Sequence, residues 1–409
     1  MTFEATMSLI DIPVFDFHTH PVESKPVSSL ISRWLDVHSD VLQVDEDSRA
    51  RTRKLLENDY KQLPYFQSLI RYIAGKYNIP ATLESVDRAV NEQNESGVPE
   101  HVSRVMRSEN IEKIIIDISG LNHPPSPAPK LDMYPDGSYF FTMGTEPLLQ
   151  PKVGHTDLED AISNVDSVLD TALQNGCVGF KTWMAYYRTL HMEEVSDLQA
   201  NNALHILSNG TVEIQKRWGI DLPVGTDGAT IKAIKNYQDY MWVHICEYAA
   251  SKNVPVLIHT GGAMSPSIDM RNANPEYLYS LFYNPRIRKA LPRVVMLHAG
   301  YPFHGVAAAI ISQFPNAFVD LSFFTGLRGV TEEVLRTFVE LAPHDKILYG
   351  SDASTVPERL GWCASNIRKS LNYVLTDFGE RYCWSVETRN EVARKILNQN
   401  AKDVLKPPN

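Results

Sequence analysis

Cysteine is scarce: four residues in a chain of 409, at Cys177, Cys246, Cys363 and Cys383, with no CxxC spacing among them. That excludes a disulfide framework, and the four read as packed free thiols of a reducing compartment. Long apolar runs are also missing. No stretch approaches the ~18 residues of a membrane span, and MTFEATMSLIDIPVFDF lacks a basic segment followed by an apolar one, so a cytoplasmic protein without a secretory leader is expected. Positive charge is short as well, 39 Lys and Arg against 49 Asp and Glu for a net charge of -10. With no basic stripe to bind phosphates, nucleic acid is excluded as a partner. Neither GxGxxG nor GxxxxGK[ST] occurs, which argues against nucleotide cofactors, and the absence of GxSxG removes serine-hydrolase chemistry.

What is present is an ordinary globular composition, 43% hydrophobic and 22% charged, with a recurring unit of a short apolar run followed by a helical pattern. Eight runs rich in Val, Ile and Phe read as strands buried on both faces: Val14–His20, Ile111–Ile118, Tyr139–Gly144, Cys177–Trp183, Val254–Thr260, Arg293–Gly300, Ala317–Ser322 and Lys346–Asp352. Helical patterns at Leu158–Asn175, Ala229–Ser251, Pro275–Ala290, Gly305–Gln313, Thr331–Leu341 and Pro357–Phe378 separate most of them, and Val386–Leu397 closes the chain. Right-handed crossovers between parallel strands make an α/β fold, a (β/α)8 TIM barrel over residues 1–409, the economical solution, with a doubly wound open sheet as the competing one. Two segments exceed simple loops: a mainly helical insertion over 26–110 after the first strand, and 184–226 after the fourth, expected to form a lid over the active face. HPPSPAPK (123–130) reads as a stiff loop.

Chemistry gathers at strand ends. His18 and His20 close the first strand, His259 the fifth, His298 the sixth and Asp352 the eighth, and the fourth carries Lys181. Side chains alternate along a strand, so Asp16, His18 and His20 are expected to share the inward face, where two imidazoles can meet one metal ion. The remaining histidines apart from His304 show no common placement and read as ordinary core or surface residues. Lys181 admits two readings: a carbamate formed with carbon dioxide, able to bridge two ions, or an ammonium paired with a carboxylate or a substrate. Arg188, Tyr186 and Tyr187 in AYYR are candidates for clamping and walling a substrate carboxylate. His304 is a candidate substrate donor or helix cap, and Asp16 and Asp320 are expected to orient ligands.

The ordered set HTH, GFK, LIHT, MLHAG and YGSD resembles the amidohydrolase superfamily over essentially the whole chain, and FKTWMAYYRTL is similar to the FluG/nodulin-like branch. The resemblance implies that His18, His20 and Asp352 hold one metal ion and His259 and His298 a second, with carboxylated Lys181 bridging. It also implies a hydrolase in which metal-activated water attacks a C–N or C–O bond of a small, carboxylate-bearing substrate, with decarboxylation as a variant, and Asp352 moving the proton. Zinc is expected for a hydrolase. The alternative is a dinuclear iron or manganese/iron oxygenase that hydroxylates a small amino acid or similar substrate. A non-catalytic barrel is expected to have lost ligands, and none is lost. A homo-oligomer is expected, with a second barrel chain as a possible partner.

Overall fold

The computed structural model describes residues 9–22, 30, 45–95, 97–119, 131–150, 157–209, 213–217, 220–224, 227–262 and 268–405. The expected loop 123–130 and the start of the first insertion lie outside them.

All eight expected strands form, β3 over its whole apolar run and the other seven shorter than theirs: β1 (Val14–Thr19), β2 (Ile111–Asp117), β3 (Tyr139–Gly144), β4 (Cys177–Thr182), then, after a small antiparallel hairpin of β5 (Glu213–Arg217) and β6 (Ile220–Val224), β7 (Val256–His259), β8 (Val294–Leu297), β9 (Ala317–Asp320) and β10 (Ile347–Leu348). They pair in parallel in the order β1-β2-β3-β4-β7-β8-β9-β10. Backbone bonds across the remaining gap, Phe17 N–H to Tyr349 C=O and His20 N–H to Ala353 C=O, both 2.8 Å, join the last strand to the first. The open sheet is therefore excluded. Edges that would otherwise leave unpaired amides are closed on each other.

One apolar cluster draws on every barrel strand, Phe15 and Phe17, Ile115, Phe140, Val178, Leu257, Val295 and Leu297, Phe318 and Leu348, and so fills the barrel interior. The final helix contributes Ala401 and Val404 to the same cluster. A larger cluster holds the alternate strand residues, such as Ile114, Ile116, Val256, Ile258 and Met296, together with helical ones such as Trp242, Phe338 and Leu371. Strand alternation thus divides interior from helix-facing residues.

The first insertion is helical where described: α1 (Glu46–Gln62), α2 (Pro64–Tyr77), α3 (Leu83–Glu95) and α4 (Val98–Ser108). Tyr65, Phe66, Leu69, Ile73, Val86 and Val90 form their own core with Val356 and Trp362. The barrel helices follow: α5 (Leu158–Gln174), α6 (Asp197–Asn209), α7 (Gly228–Lys252), α8 (Tyr279–Tyr283), α9 (Pro285–Ala290), α10 (His304–Gln313), α11 (Arg328–Leu341), α12 (Pro357–Tyr382), α13 (Val386–Arg394) and α14 (Asn400–Leu405). Glu358, at the start of α12, accepts from Tyr77 Oη at 2.5 Å and lies 2.7 Å from His101 Nε2, so the insertion is fastened to the segment just after Asp352. Capping explains several ends. Asp157 and Asp227 accept first-turn N–H groups of α5 and α7, and Asn253 ends α7 in the left-handed region. The single helix expected over Pro275–Ala290 is broken, because Pro285 cannot continue α8 and Asn284 caps a new start instead.

Candidate metal centre

His18, His20, His259, His298, Asp352 and Lys181 do come together, at the end of the barrel where the strands' C-termini open. His20 Nε2 is 3.1 Å and His18 Nε2 3.4 Å from Asp352 Oδ1. His259 Nδ1 faces His298 Nε2 at 3.1 Å, and the His18 and His298 rings are 5.5 Å apart. Two triads have ligand atoms all within 4.8 Å of one another, His18–His298–Asp352 and His18–His20–Asp117. His18 belongs to both.

The donor set suits a cation. Burial pushes the imidazoles down, His18 to about 4 and His298 to about 3, with His259 well below its usual value. Burial alone would raise Asp352, but the His18 and His20 imidazoles set against its carboxylate hold it well below the carboxylate range. Neutral imidazoles and an ionised carboxylate are the protonation states a metal requires. The buried His259 Nε2 and His18 Nδ1 have no hydrogen-bond partner among the described residues, a costly arrangement unless something else engages them.

The backbone is shaped to the same end. His298 and Asp352 sit in the left-handed region at φ 61° and 54°, a conformation that costs non-glycine residues of order 1–3 kcal/mol and that clusters at functional sites. His298 is held by its surroundings: Asp320 Oδ1 accepts its N–H at 3.2 Å, and Nδ1 lies 2.8 Å from Ser322 Oγ, which donates to the same carboxylate oxygen. Asp320 therefore has the orienting place expected of it. Glycine is required nearby. A Cβ on Gly350 would lie 2.0 Å from Asp320 Oδ2, and one on Gly261, itself at φ +69°, 2.4 Å from Tyr301 O.

Several expectations are corrected. Asp16 does not share the inward face with the two histidines: Phe15 and Phe17 are the interior residues, and the pairing with β2 shifts register between Asp16 and Thr19. That irregularity breaks simple alternation, so His18 and His20 reach the mouth while Asp16 instead accepts the Ser351 N–H at 2.8 Å. Burial raises its carboxyl to about 8. Arg188 does not stand free for a substrate. Its guanidinium donates to Asp239 Oδ1 at 2.5 Å, His191 O at 2.9 Å and Gln238 Oε1 at 3.2 Å, tying the segment after β4 to α7. His304 does not cap α10, which has no side-chain cap; its ring stacks on Tyr301 with centroids 5.7 Å apart. Tyr186 does wall the site, 4.6 Å from the His259 ring, whereas the Tyr187 ring packs edge-on against Trp183 and its buried hydroxyl has no partner among the described residues. Cys177, Cys246 and Cys363 are buried, but Cys383 is exposed at the end of α12.

Lys181 lies among these groups. Its Nζ donates to Asp117 Oδ2 and lies 3.3 Å from His18 Nε2. Burial alone would raise Asp117, but Lys181 and then His20 and His18 hold it well below the carboxylate range. Asp117, at the end of β2, is absent from the expected set although the strand-end criterion that selects Asp352 also selects it. Glu146, just beyond β3, is a second omission. Its Oε1 accepts from Thr182 Oγ1 at 2.7 Å and from Trp183 N–H at 2.5 Å, and burial raises its carboxyl to about 7.

Residues 219–406 match the amidohydrolase family model. Protein fluG of Emericella nidulans is 24% identical over 242 residues, 58% of this chain and 26% of that protein. Over residues 219–406 the chain is similar to the amidohydrolases. It spans about a quarter of the length of that curated relative. Among solved structures, one assigned to a metal-dependent hydrolase from Lactobacillus casei superimposes with a TM-score of 0.70 at 22% identity, covering 98% of this chain and 96% of the other. Uronate isomerase of Thermotoga maritima gives 0.69 at 13%, covering 97% and 95%. These likenesses show the fold, a barrel of eight parallel strands with its helices. Because both a hydrolase and an isomerase share it, the fold does not choose the reaction. Among the described residues no helix is long and apolar enough to cross a membrane.

Proposed function

We propose that this amidohydrolase relative is a metal-dependent enzyme in which His18, His20 and Asp352 hold one divalent ion and His259 and His298 a second, and that it hydrolyses a C–N or C–O bond of a small substrate. The observation that carries this reading is the convergence of five ligand-type side chains from four strands. The imidazoles of His18, His259 and His298 are held neutral by burial, and two buried ring nitrogens have no partner among the described residues. Divalent ions there supply an acidified water, its pKa lowered from about 15.7 toward about 7, a polarised carbonyl, and a positive potential for a small anion.

The chain's own groups do the rest. Asp352, ionised and at the mouth, accepts the proton of the attacking nucleophile at its carboxylate and returns it to the leaving group. Asp320 and Ser322 fix the orientation of His298. Tyr186 covers His259 and, with Trp183 6.1 Å away, walls the substrate side against water. Arg188, engaged by Asp239, supports this wall and does not bind the substrate. A bridging carbamate on Lys181 is not included, because its amine is already occupied by Asp117.

Turnover of amide, lactone and carboxylic-acid panels by protein loaded with Zn2+ and kept anaerobic tests the proposal. Hydrolysis under those conditions, lost in Asp352→Asn, is the expected result. Activity that needs iron or manganese with iron, and consumes oxygen with an amine or amino-acid substrate, would replace hydrolysis by the oxygenase alternative.

A further inference from the structure

Asp117 is fully buried at the C-terminal end of β2. Its Oδ1 is locked by Ser119, which donates its backbone N–H at 2.9 Å and its hydroxyl. The same D-x-S turn closes β9, where Ser322 N–H and Oγ both donate to Asp320 Oδ1. The two turns differ in where the second oxygen goes. Asp320 Oδ2 lies against Gly350, with no room for a Cβ between them, whereas Asp117 Oδ2 receives Lys181 Nζ and lies 3.9 Å from His20 Nδ1. His18, His20 and Asp117 thereby offer three ligand atoms within 4.8 Å of one another.

We infer that Asp117 is a ligand of the metal centre, and that a protein carboxylate from β2 fills the anionic position that a carbamate on Lys181 would otherwise occupy. The inference rests on the metal-dependent reading of the site. Two features carry it. A carboxylate with one oxygen immobilised by its own turn and the other directed at two histidines is preorganised for coordination, with little side-chain freedom left to lose. In addition, Lys181 Nζ is already engaged as the ion-pair partner of Asp117 Oδ2, so the lysine meets the carboxylate as its cation and the carboxylate supplies the anionic group at this position. In this arrangement Lys181 is a positioning residue. It holds Asp117 Oδ2 and leaves coordination to the carboxylate and the imidazoles.

The test uses the full chain, stripped of metal, titrated with Zn2+ and equilibrated with 13C-labelled bicarbonate. Wild-type protein is expected to bind Zn2+ and to show no carbamate carbon by NMR and no mass of one added carbon dioxide on Lys181. Asp117→Asn is expected to lose at least about 10-fold in Zn2+ affinity, the lower end of the 10–100-fold range for ligand-supporting groups, with Asp117→Glu regaining part of it. The label experiment needs no variant, so it decides the matter even where Asp117→Asn does not fold. A carbamate on Lys181 of the Zn2+-loaded wild type, or Zn2+ binding unchanged in a folded Asp117→Asn, overturns this inference alone. Wild-type protein that takes up no Zn2+ overturns the metal reading and this inference with it.

Discussion

Glu146 offers a prediction whose size follows from its surroundings. It is fully buried just beyond β3, one oxygen accepts from Thr182 and Trp183, and the other has no partner among the described residues. Burial raises its carboxyl from 4.5 to about 7. The folded protein therefore keeps a proton there that the unfolded chain has released, and stability falls as pH rises from about 4.5 to about 7 and levels off above. A gap of about 2.5 pH units at about 1.4 kcal/mol each amounts to ~3 kcal/mol. Glu146→Gln keeps an oxygen to accept both hydrogen bonds and has no proton to lose. Urea unfolding of wild type and variant side by side should show the variant gaining on the wild type by up to ~3 kcal/mol between about pH 4.5 and pH 8. A difference that stays constant across that range would refute the reasoning, because it would mean that Glu146 titrates alike in the folded and unfolded chain.

Other perturbations separate the site from its supports. Ser322→Ala removes the partner of His298 Nδ1 and is expected to weaken Zn2+ binding about 10–100-fold with the fold intact by circular dichroism; unchanged affinity would show that His298 needs no such support. Arg188→Ala leaves the buried Asp239 with Lys235 as its remaining cation, so thermal unfolding should show a loss approaching the ~3–5 kcal/mol of a broken buried pair, whereas a loss confined to substrate affinity would restore Arg188 as a substrate clamp. Gly350→Ala drives a Cβ into Asp320 and is expected to lower both stability and metal affinity; a neutral result would mean that the end of β10 can shift at no cost.

The barrel was legible because each strand is a short, doubly buried apolar run, and such runs are recognisable without knowing their partners. Strand-end chemistry was legible for the same reason. His259 and Asp352 stand where the apolar pattern stops. Asp117 meets the same criterion, and only the emphasis on histidines hid it. Asp16 was misplaced because strict alternation was assumed across a register shift that no sequence pattern announces. Arg188 beside two tyrosines has the composition of a carboxylate clamp. Its real partner, Asp239, is 51 residues away, and a pairing at that distance is fixed by the packing of α7 against the segment after β4. Lys181 shows the same limit, since its partner comes from β2 through barrel closure.

The central claim is that these strand ends hold divalent metal. Elemental analysis of protein purified without chelator, compared with His298→Ala and His18→Ala purified alongside, tests it most directly. Two ions per chain in the wild type are expected, with loss of one in His298→Ala. Loss of the other is expected in His18→Ala, because His18 holds the first ion with His20 and Asp352. Metal-free wild type that also fails to take up Zn2+, manganese or iron on titration, or a metal content untouched by either substitution, would contradict the account.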